Sequence, residues 1–269
     1  MKKIAVLVIL ALSILFFLNF KVVTNKLNSY FYTQKSNETE KTAVIHKIGL
    51  LADSHSDYQQ LKKSITKLKQ KNVDFLIHFG DMSDFGGLSE LEQTKKILDE
   101  SEIEYLVIPG DRDIVEGGVN FNKIFKNKVC DTQLLNKYRV ICLANPYNYT
   151  LIDSKDYEKF IKNSKQANVL LIAQPIYNPN SNIYMGFYDT KVKEQADNIY
   201  VHILNNTNIK YVISADTHFF KTYSGDKNSN IKYYNLGAIT DKRNLQSANF
   251  AIMNIYENGT TEIKQVTIN

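Results

Sequence analysis

From residue 44 onward the chain alternates short apolar runs with segments of helical periodicity, and this alternation limits its fold more than any other feature. Val44–Ala52, Val73–Phe79 and Ile103–Ile108 are apolar runs of strand length. Between them, Tyr58–Lys71 carries Leu61, Ile65 and Leu68 at helical spacing, and Leu88–Glu100 is a second helical segment. Tyr138–Ala144, Val169–Ala173 and Tyr211–Ser214 continue the strand series, with helices expected around Asp156–Ser164 and over Lys191–Asn205. Such repetition predicts an α/β fold with a largely parallel sheet covered on both faces. The closing runs Lys232–Leu236, Phe250–Ile255 and Thr261–Thr267 read as antiparallel strands. No internal repeat and no change of composition interrupts residues 44–269, so one domain is expected there.

The residues before 44 have another character. Met1-Lys2-Lys3 precedes Ile4–Phe20, seventeen residues without a charge. A cleaved signal peptide has an apolar region of ~7–15 residues ending at a small-residue site. This run is longer, and Asn19-Phe20-Lys21-Val22-Val23 offers no Ala-x-Ala pattern. A spanning helix needs ~17 residues or more, and Lys2 and Lys3 favour a cytoplasmic N-terminus. Of the two readings, run length favours an uncleaved single-pass anchor over residues 1–23, with the domain outside the cytoplasmic membrane. Residues 24–43 are polar and read as a tether. Cys130 and Cys142 flank an expected hairpin with its tip near Asn136-Lys137, which leaves either a disulfide or two buried thiols. The formal net charge of +5 is modest and the lysines are scattered, which argues against a nucleic-acid partner. Nothing in the sequence speaks to oligomeric state.

In parallel sheets, ligands bind beyond the carboxyl ends of the strands. Those ends read Ala52-Asp53-Ser54-His55, His78-Phe79-Gly80-Asp81, Gly110-Asp111-Arg112-Asp113 and Ser214-Ala215-Asp216-Thr217-His218. Four strands thus deliver carboxylates to one edge, and two of those ends add an imidazole. Residues two apart in extended chain point to the same side, so Asp53 with His55, and Asp216 with His218, can each close on one centre. Crowded carboxylates resist ionising together unless a cation sits among them. Mixed Asp and His donors suit Mn, Fe, Zn or a similar divalent metal.

These motifs, in this order, resemble the calcineurin-like metallophosphoesterases over roughly residues 45–240. That family's pattern is Asp-x-His, Gly-Asp, Gly-Asn-His-Asp/Glu, a His ahead of a proline, and Gly-His-x-His; Asn235-Leu236-Gly237-Ala238 is similar to its later Asn-x-Gly-Ser turn. The resemblance implies a four-layer α-β-β-α sandwich, one or two metal ions, and hydrolysis of a phosphate mono- or diester. It implies that Asp53, His55 and His218 hold a first metal and that Asp81 bridges to a second. It places Arg112 and Asp113 at the catalytic positions, and Arg112 with Asn235 near substrate.

The chain departs from the family at the second metal. Asp111 replaces Asn, Arg112 the catalytic His, Ala173 the His before Pro175, and Asp216 the first His of the last motif. Two of the three lost ligands are therefore still ligands, with Asp111 and Asp216 as candidates. Carboxylate in place of imidazole favours Mg or Mn there, with Fe or Zn still suited to the first site. Arg112 cannot donate a proton at ordinary pH, but its planar fork can grip a phosphate. Alternatively its guanidinium lies between Asp111 and Asp216 in place of the second cation, in a binding or scaffold protein. The substrate class left open is a small phosphoester or a lipid head group.

Overall fold

The computed structural model describes residues 43–268 apart from 136–137, 147–149, 180–183 and 226–229. The expected anchor over 1–23, and all but the last residue of the tether over 24–43, lie outside the described residues. Among the described residues no helix is long and apolar enough to cross a membrane.

The first sheet grows from β1 (Val44–Leu51), whose last four residues are buried. Asp57 then caps α1 (Tyr58–Gln70), its carboxylate accepting the Gln60 N–H at 3.1 Å. Leu61, Ile65 and Leu68 form the buried face of α1, as their spacing predicts. β2 (Phe75–His78), α2 (Leu88–Asp99) and β3 (Glu104–Val107) follow, and β1, β2 and β3 pair in parallel. Two later strands complete the sheet, β10 (Asn249–Tyr256) antiparallel to β1 and β11 (Thr261–Thr267) antiparallel to β10, giving the order β11-β10-β1-β2-β3.

The alternation does not build one sheet, as read from the sequence, but two. After β3 comes a short turn of 3-10 helix and α3 (Val119–Phe125). Residues 128–130 then run beside β3, with Val107 N–H donating to the Lys128 carbonyl and Cys130 N–H to the Val107 carbonyl, both at 2.8 Å. From there the chain crosses to β4 (Thr132–Leu135), which pairs antiparallel with β5 (Tyr138–Leu143). Cys130 and Cys142 are joined as a disulfide at the crossing, with a Cα separation of 5.7 Å. α4 (Ser154–Asn163), β6 (Val169–Ile172), α5 (Thr190–Asn206), β7 (Tyr211–Ser214), β8 (Lys221–Ser224) and β9 (Lys232–Asn235) follow. The second sheet has the order β4-β5-β6-β7-β9-β8. β9, expected to be antiparallel, lies parallel to β7, because the intervening β8 has already reversed the chain.

Three apolar clusters define the layers. Ile48, Leu50 and Ile77 of the first sheet meet Leu171, Ile213 and Tyr234 of the second. Leu51 and Leu76 pack on the other side against Leu61, Leu68 and Leu91 of α1 and α2. Leu170 and Val212 pack against Phe160, Ala196 and Ile199 of α4 and α5. The result is the α-β-β-α sandwich, a mixed α/β two-sheet fold, with Val44–Asn269 as one compact unit. The carboxyl ends of β1, β2, β3 and β7 share one edge of it.

Candidate metal centre

The turns at that edge are held to one another by backbone bonds. Asp53 N–H donates to the Gly80 carbonyl at 3.1 Å and His55 N–H to the Asp81 carbonyl at 2.9 Å, which fastens the turn after β1 to the turn after β2. Gly80 has φ +88°, and a Cβ there would run into the Gly110 backbone, so this close approach requires glycine. Asp53, His55, Asp81, Asp216 and His218 all have positive φ, between 44° and 72°. Such backbone is costly for residues with a Cβ and gathers where function demands a geometry. Five of the nine described non-glycine residues with positive φ are thus candidate ligands.

Two groups of donors result, and Asp81 belongs to both. Atoms of His55, Asp81 and His218 lie within 4.8 Å of one another, as do atoms of Asp81, Asp111 and Asp216. His55 Nε2 is 3.0 Å from His218 Nε2 and 3.7 Å from Asp81 Oδ2. Asp53 is buried beside them, and its carboxylate accepts the Asp216 backbone N–H.

The electrostatics are those of a site built around a cation. Burial first, and the Asp216 carboxylate second, raise the pKa of Asp53 well above the carboxylate range. Asp81 is raised likewise, by burial and then by Asp53. Burial and the neighbouring Asp111 push Asp216 up to about 7. His55 is pushed down to about 3 by burial and by the His218 ring, and burial also lowers His218. Both imidazoles are therefore neutral and offer lone pairs. Asp53 Oδ2 is buried without a hydrogen-bond partner, a costly arrangement unless a ligand completes it. His55 Nδ1 faces Asp84 Oδ1 at 3.6 Å, which leaves Nε2 turned toward His218 and Asp81. Imidazole and carboxylate donors with an orphaned carboxylate oxygen fit a divalent metal.

The remaining expected residues fall into distinct places. Arg112 donates its backbone N–H to Asp81 Oδ1 at 3.1 Å, while its guanidinium Nε stands 3.7 Å from Asp111 Oδ1 with the side chain 40% exposed. Asp113 is fully buried and faces inward. Its Oδ1 accepts the N–H groups of Met82 and Ser83 and the Ser83 hydroxyl, and its Oδ2 accepts the Gly110 N–H, all between 2.9 and 3.0 Å. It is a positioning residue, joining the turns after β2 and β3. Asn235 is buried as well, donating to the Phe219 carbonyl at 2.8 Å and to Thr217 Oγ1, and so braces the turn that carries Asp216 and His218. Ala173 is buried at the end of β6 with no donor atom. Next to it, Gln174 hydrogen-bonds the Asp216 carboxylate, a contact that the flanking motif Ala173-Gln174-Pro175 hid. Also unforeseen, Glu90 accepts bonds from Ser56 Oγ and from the N–H groups of Asp84, Phe85 and Gly87, which ties α2 to both ligand turns.

A two-sheet sandwich with buried carboxylates and neutral imidazoles gathered at the strand ends has the build of a metal-dependent hydrolase. Solved structures share the fold. A dimetal phosphatase from Danio rerio superposes with a TM-score of 0.63 at 11% identity, covering 84% of this chain and 100% of its own. A protein from Thermus thermophilus gives 0.57 at 9% identity, with 84% and 100% covered. A purple acid phosphatase from yellow lupin seeds, Lupinus luteus, gives 0.62 at 10% identity, with 84% and 52% covered. No curated protein sequence matches significantly. The calcineurin-like phosphoesterase model matches residues 46–220. The chain belongs to the calcineurin-like phosphoesterase family, and its class is that of a phosphoester hydrolase.

Proposed function

We propose that the protein hydrolyses a phosphate mono- or diester with a good leaving group, using Mn or Mg, outside the cytoplasmic membrane. The observation that carries this reading is the pair of donor groups sharing Asp81. Asp53, His55, Asp81 and His218 would hold one ion, and Asp81, Asp111 and Asp216 a second. A bound divalent ion supplies Lewis acidity, making water a competent nucleophile near neutral pH and offsetting phosphoryl charge.

The chain's own residues do the rest. Asp113 and Glu90 keep the ligand turns in register. Arg112, at the rim, grips the phosphoryl oxygens and balances charge that grows in the transition state. The rim position favours this clamp over a guanidinium wedged among the carboxylates, because the Arg112 side chain is 40% exposed and its contact is with Asp111. No histidine stands where the family's proton donor does, so the leaving oxygen departs unprotonated and turnover should fall steeply as leaving-group pKa rises. The disulfide supports the extracytoplasmic placement, since such bonds persist in oxidising compartments.

Metal analysis of the wild type and of Asp81→Ala tests the reading. The wild type should retain metal and hydrolyse an aryl phosphate, and the variant should lose both. Equal, near-zero metal in the two proteins would refute it. Metal without turnover would make the protein a binding module on the same scaffold.

A further inference from the structure

The exposed large apolar side chains are not scattered over the protein. Among the described residues, all but Val44 and Val201 lie in the segments that follow the carboxyl ends of strands, at the edge that carries the metal centre. Phe85 follows β2 and Val119 follows β3 in the first sheet, while Phe187 and Tyr188 follow β6, Phe219 follows β7 and Leu245 follows β9 in the second. They therefore flank the centre from both sheets. Apolar exposure gathered in this way marks an interaction surface.

The turns that carry these side chains are braced. Phe85 N–H donates to Glu90 Oε2 at 3.2 Å, and the next carbonyl, of Gly86, accepts from Asn120 Nδ2 at 3.0 Å, which fixes the Phe85 turn against the start of α3 beside Val119. In the second sheet, Gln246 accepts the Phe220 N–H at 2.9 Å and donates to the Phe220 carbonyl at 3.2 Å, so the Phe219 and Leu245 turns are joined. Asn244 Nδ2 bonds the carbonyls of Ala238 and Thr240 at 3.0 and 2.9 Å, closing the Leu245 turn at its root. The apolar side chains are thus held outward by the backbone they stand on.

A second, independent observation is the charge set among them. Lys242 Nζ lies 3.5 Å from the backbone oxygen of His55, and the Arg243 carbonyl lies 3.2 Å from His218 Nδ1. Both residues are exposed, and among the described residues neither has a carboxylate partner. Their neighbour Asp241 is turned to Gln60 Nε2 at 2.7 Å and to the Ala248 N–H at 3.3 Å. Uncompensated cations beside outward apolar side chains match an anionic lipid surface, which takes up both. A protein partner would want a continuous face of roughly 800 Å², whereas here polar turns and the metal centre interrupt the apolar side chains. A fluid, hydrated head-group layer conforms to such an interrupted edge.

We propose that this edge docks on the surface of an anionic phospholipid bilayer, with Phe85, Val119, Phe219 and Leu245 entering the head-group layer and Lys242 and Arg243 meeting lipid phosphates. The contact is distinct from the anchor proposed over Ile4–Phe20. It does not depend on which ester the metal centre hydrolyses.

The sequence contains no tryptophan, so a single introduced one reports alone. The test uses the full chain in vesicles of phosphatidylcholine, with or without phosphatidylglycerol, whose acyl chains carry bromine as a quencher. Leu245→Trp, at the most exposed of the apolar positions (78%), and Phe85→Trp, from the other sheet, should both be quenched strongly when phosphatidylglycerol is present. Val201→Trp, exposed on α5, should not be, which separates docking of the edge from mere tethering near lipid. Lys242→Gln together with Arg243→Gln should lower the docked-to-free ratio read at Leu245→Trp by about tenfold or more, the scale of two basic residues beside an anionic leaflet. High salt should act in the same direction. Equal quenching at positions 245 and 201, or none at either, would overturn the proposal. So would quenching indifferent to phosphatidylglycerol. A blue-shifted Leu245→Trp emission in detergent alone, growing with protein concentration, would assign the edge to a second copy of the chain and overturn it too.

Discussion

Arg112 has two attachments of different strength, and the difference sets what a substitution should do. Its backbone N–H is fixed to Asp81 Oδ1, but its guanidinium meets Asp111 only at 3.7 Å on the exposed rim. An exposed ion pair of that kind contributes ~0–1 kcal/mol, so the side chain can exchange Asp111 for a phosphate at little cost. Arg112→Ala should lower turnover of an aryl phosphate by ~10²–10³-fold, the usual effect of removing one preorganised electrostatic contact. If Arg112→His instead gains a metal ion and activity, the guanidinium was filling a cation's place. The aspartates carry a second prediction. Without metal, Asp216 at about 7 retains a proton near neutrality and burial raises Asp53 and Asp81 in the same direction, whereas His55 at about 3 holds none. Metal binding must then expel the Asp216 proton, so affinity should rise as pH increases through about 7. Calorimetric titration in buffers of different ionisation enthalpy should show proton release below that pH. An affinity that is flat with pH would remove Asp216 from the metal's shell.

At the scale of elements, the site depends on how three turns are fastened more than on the strands beneath them. Asp113 accepts four hydrogen bonds from the turns after β2 and β3, and Asp113→Ala would leave buried donors unpaired. Each such loss is worth roughly 1 kcal/mol or more, so a drop of about 3 kcal/mol is expected, visible as a lower urea midpoint together with weaker metal binding. A variant with unchanged stability would show that the turns hold without it. The sequence disclosed the strands and ligand-bearing ends because apolar runs such as Val73–Phe79, followed by Gly80-Asp81, announce both burial and its end. It also disclosed α1, from Leu61, Ile65 and Leu68. It did not disclose β8, four residues of which only Tyr223 is buried, because so short and polar an edge leaves almost no pattern. Nor could it separate one sheet from two, since that choice is made by the crossing after residue 130 rather than by any strand's composition. The roles of Asp113, Asn235 and Gln174 were hidden for a further reason. A carboxylate or carboxamide that braces a turn reads, in sequence, like one that faces a ligand, and only the hydrogen bonds it makes in the fold distinguish them.

At the scale of the whole molecule, the two sheets are separate hydrogen-bonded units joined by the apolar layer between them and, at one side, by the crossing from β3 to β4. The Cys130–Cys142 bond closes that crossing over a sequence separation of 12. A loop of such length is expected to stabilise by about 3 kcal/mol through loss of freedom in the unfolded chain. Reduction, or Cys130→Ser with Cys142→Ser, should therefore lower the urea midpoint by a corresponding amount. The bond contributes this only where it can form, which links stability to location. On the proposed reading, the apolar run Ile4–Phe20 behind Lys2 and Lys3 would be the means of reaching an oxidising compartment. The proposal of an anchored, extracytoplasmic domain thus makes a joint prediction for intact cells. The chain should stay with membranes through a carbonate wash, protease added after the outer layers are stripped should digest the domain, and Cys130 and Cys142 should resist alkylation until reductant is added. Release of a mature form beginning near residue 25 would replace the anchor with a cleaved signal while keeping the compartment. Two freely alkylated cysteines in a protease-protected domain would place it on the reducing side and overturn the location altogether.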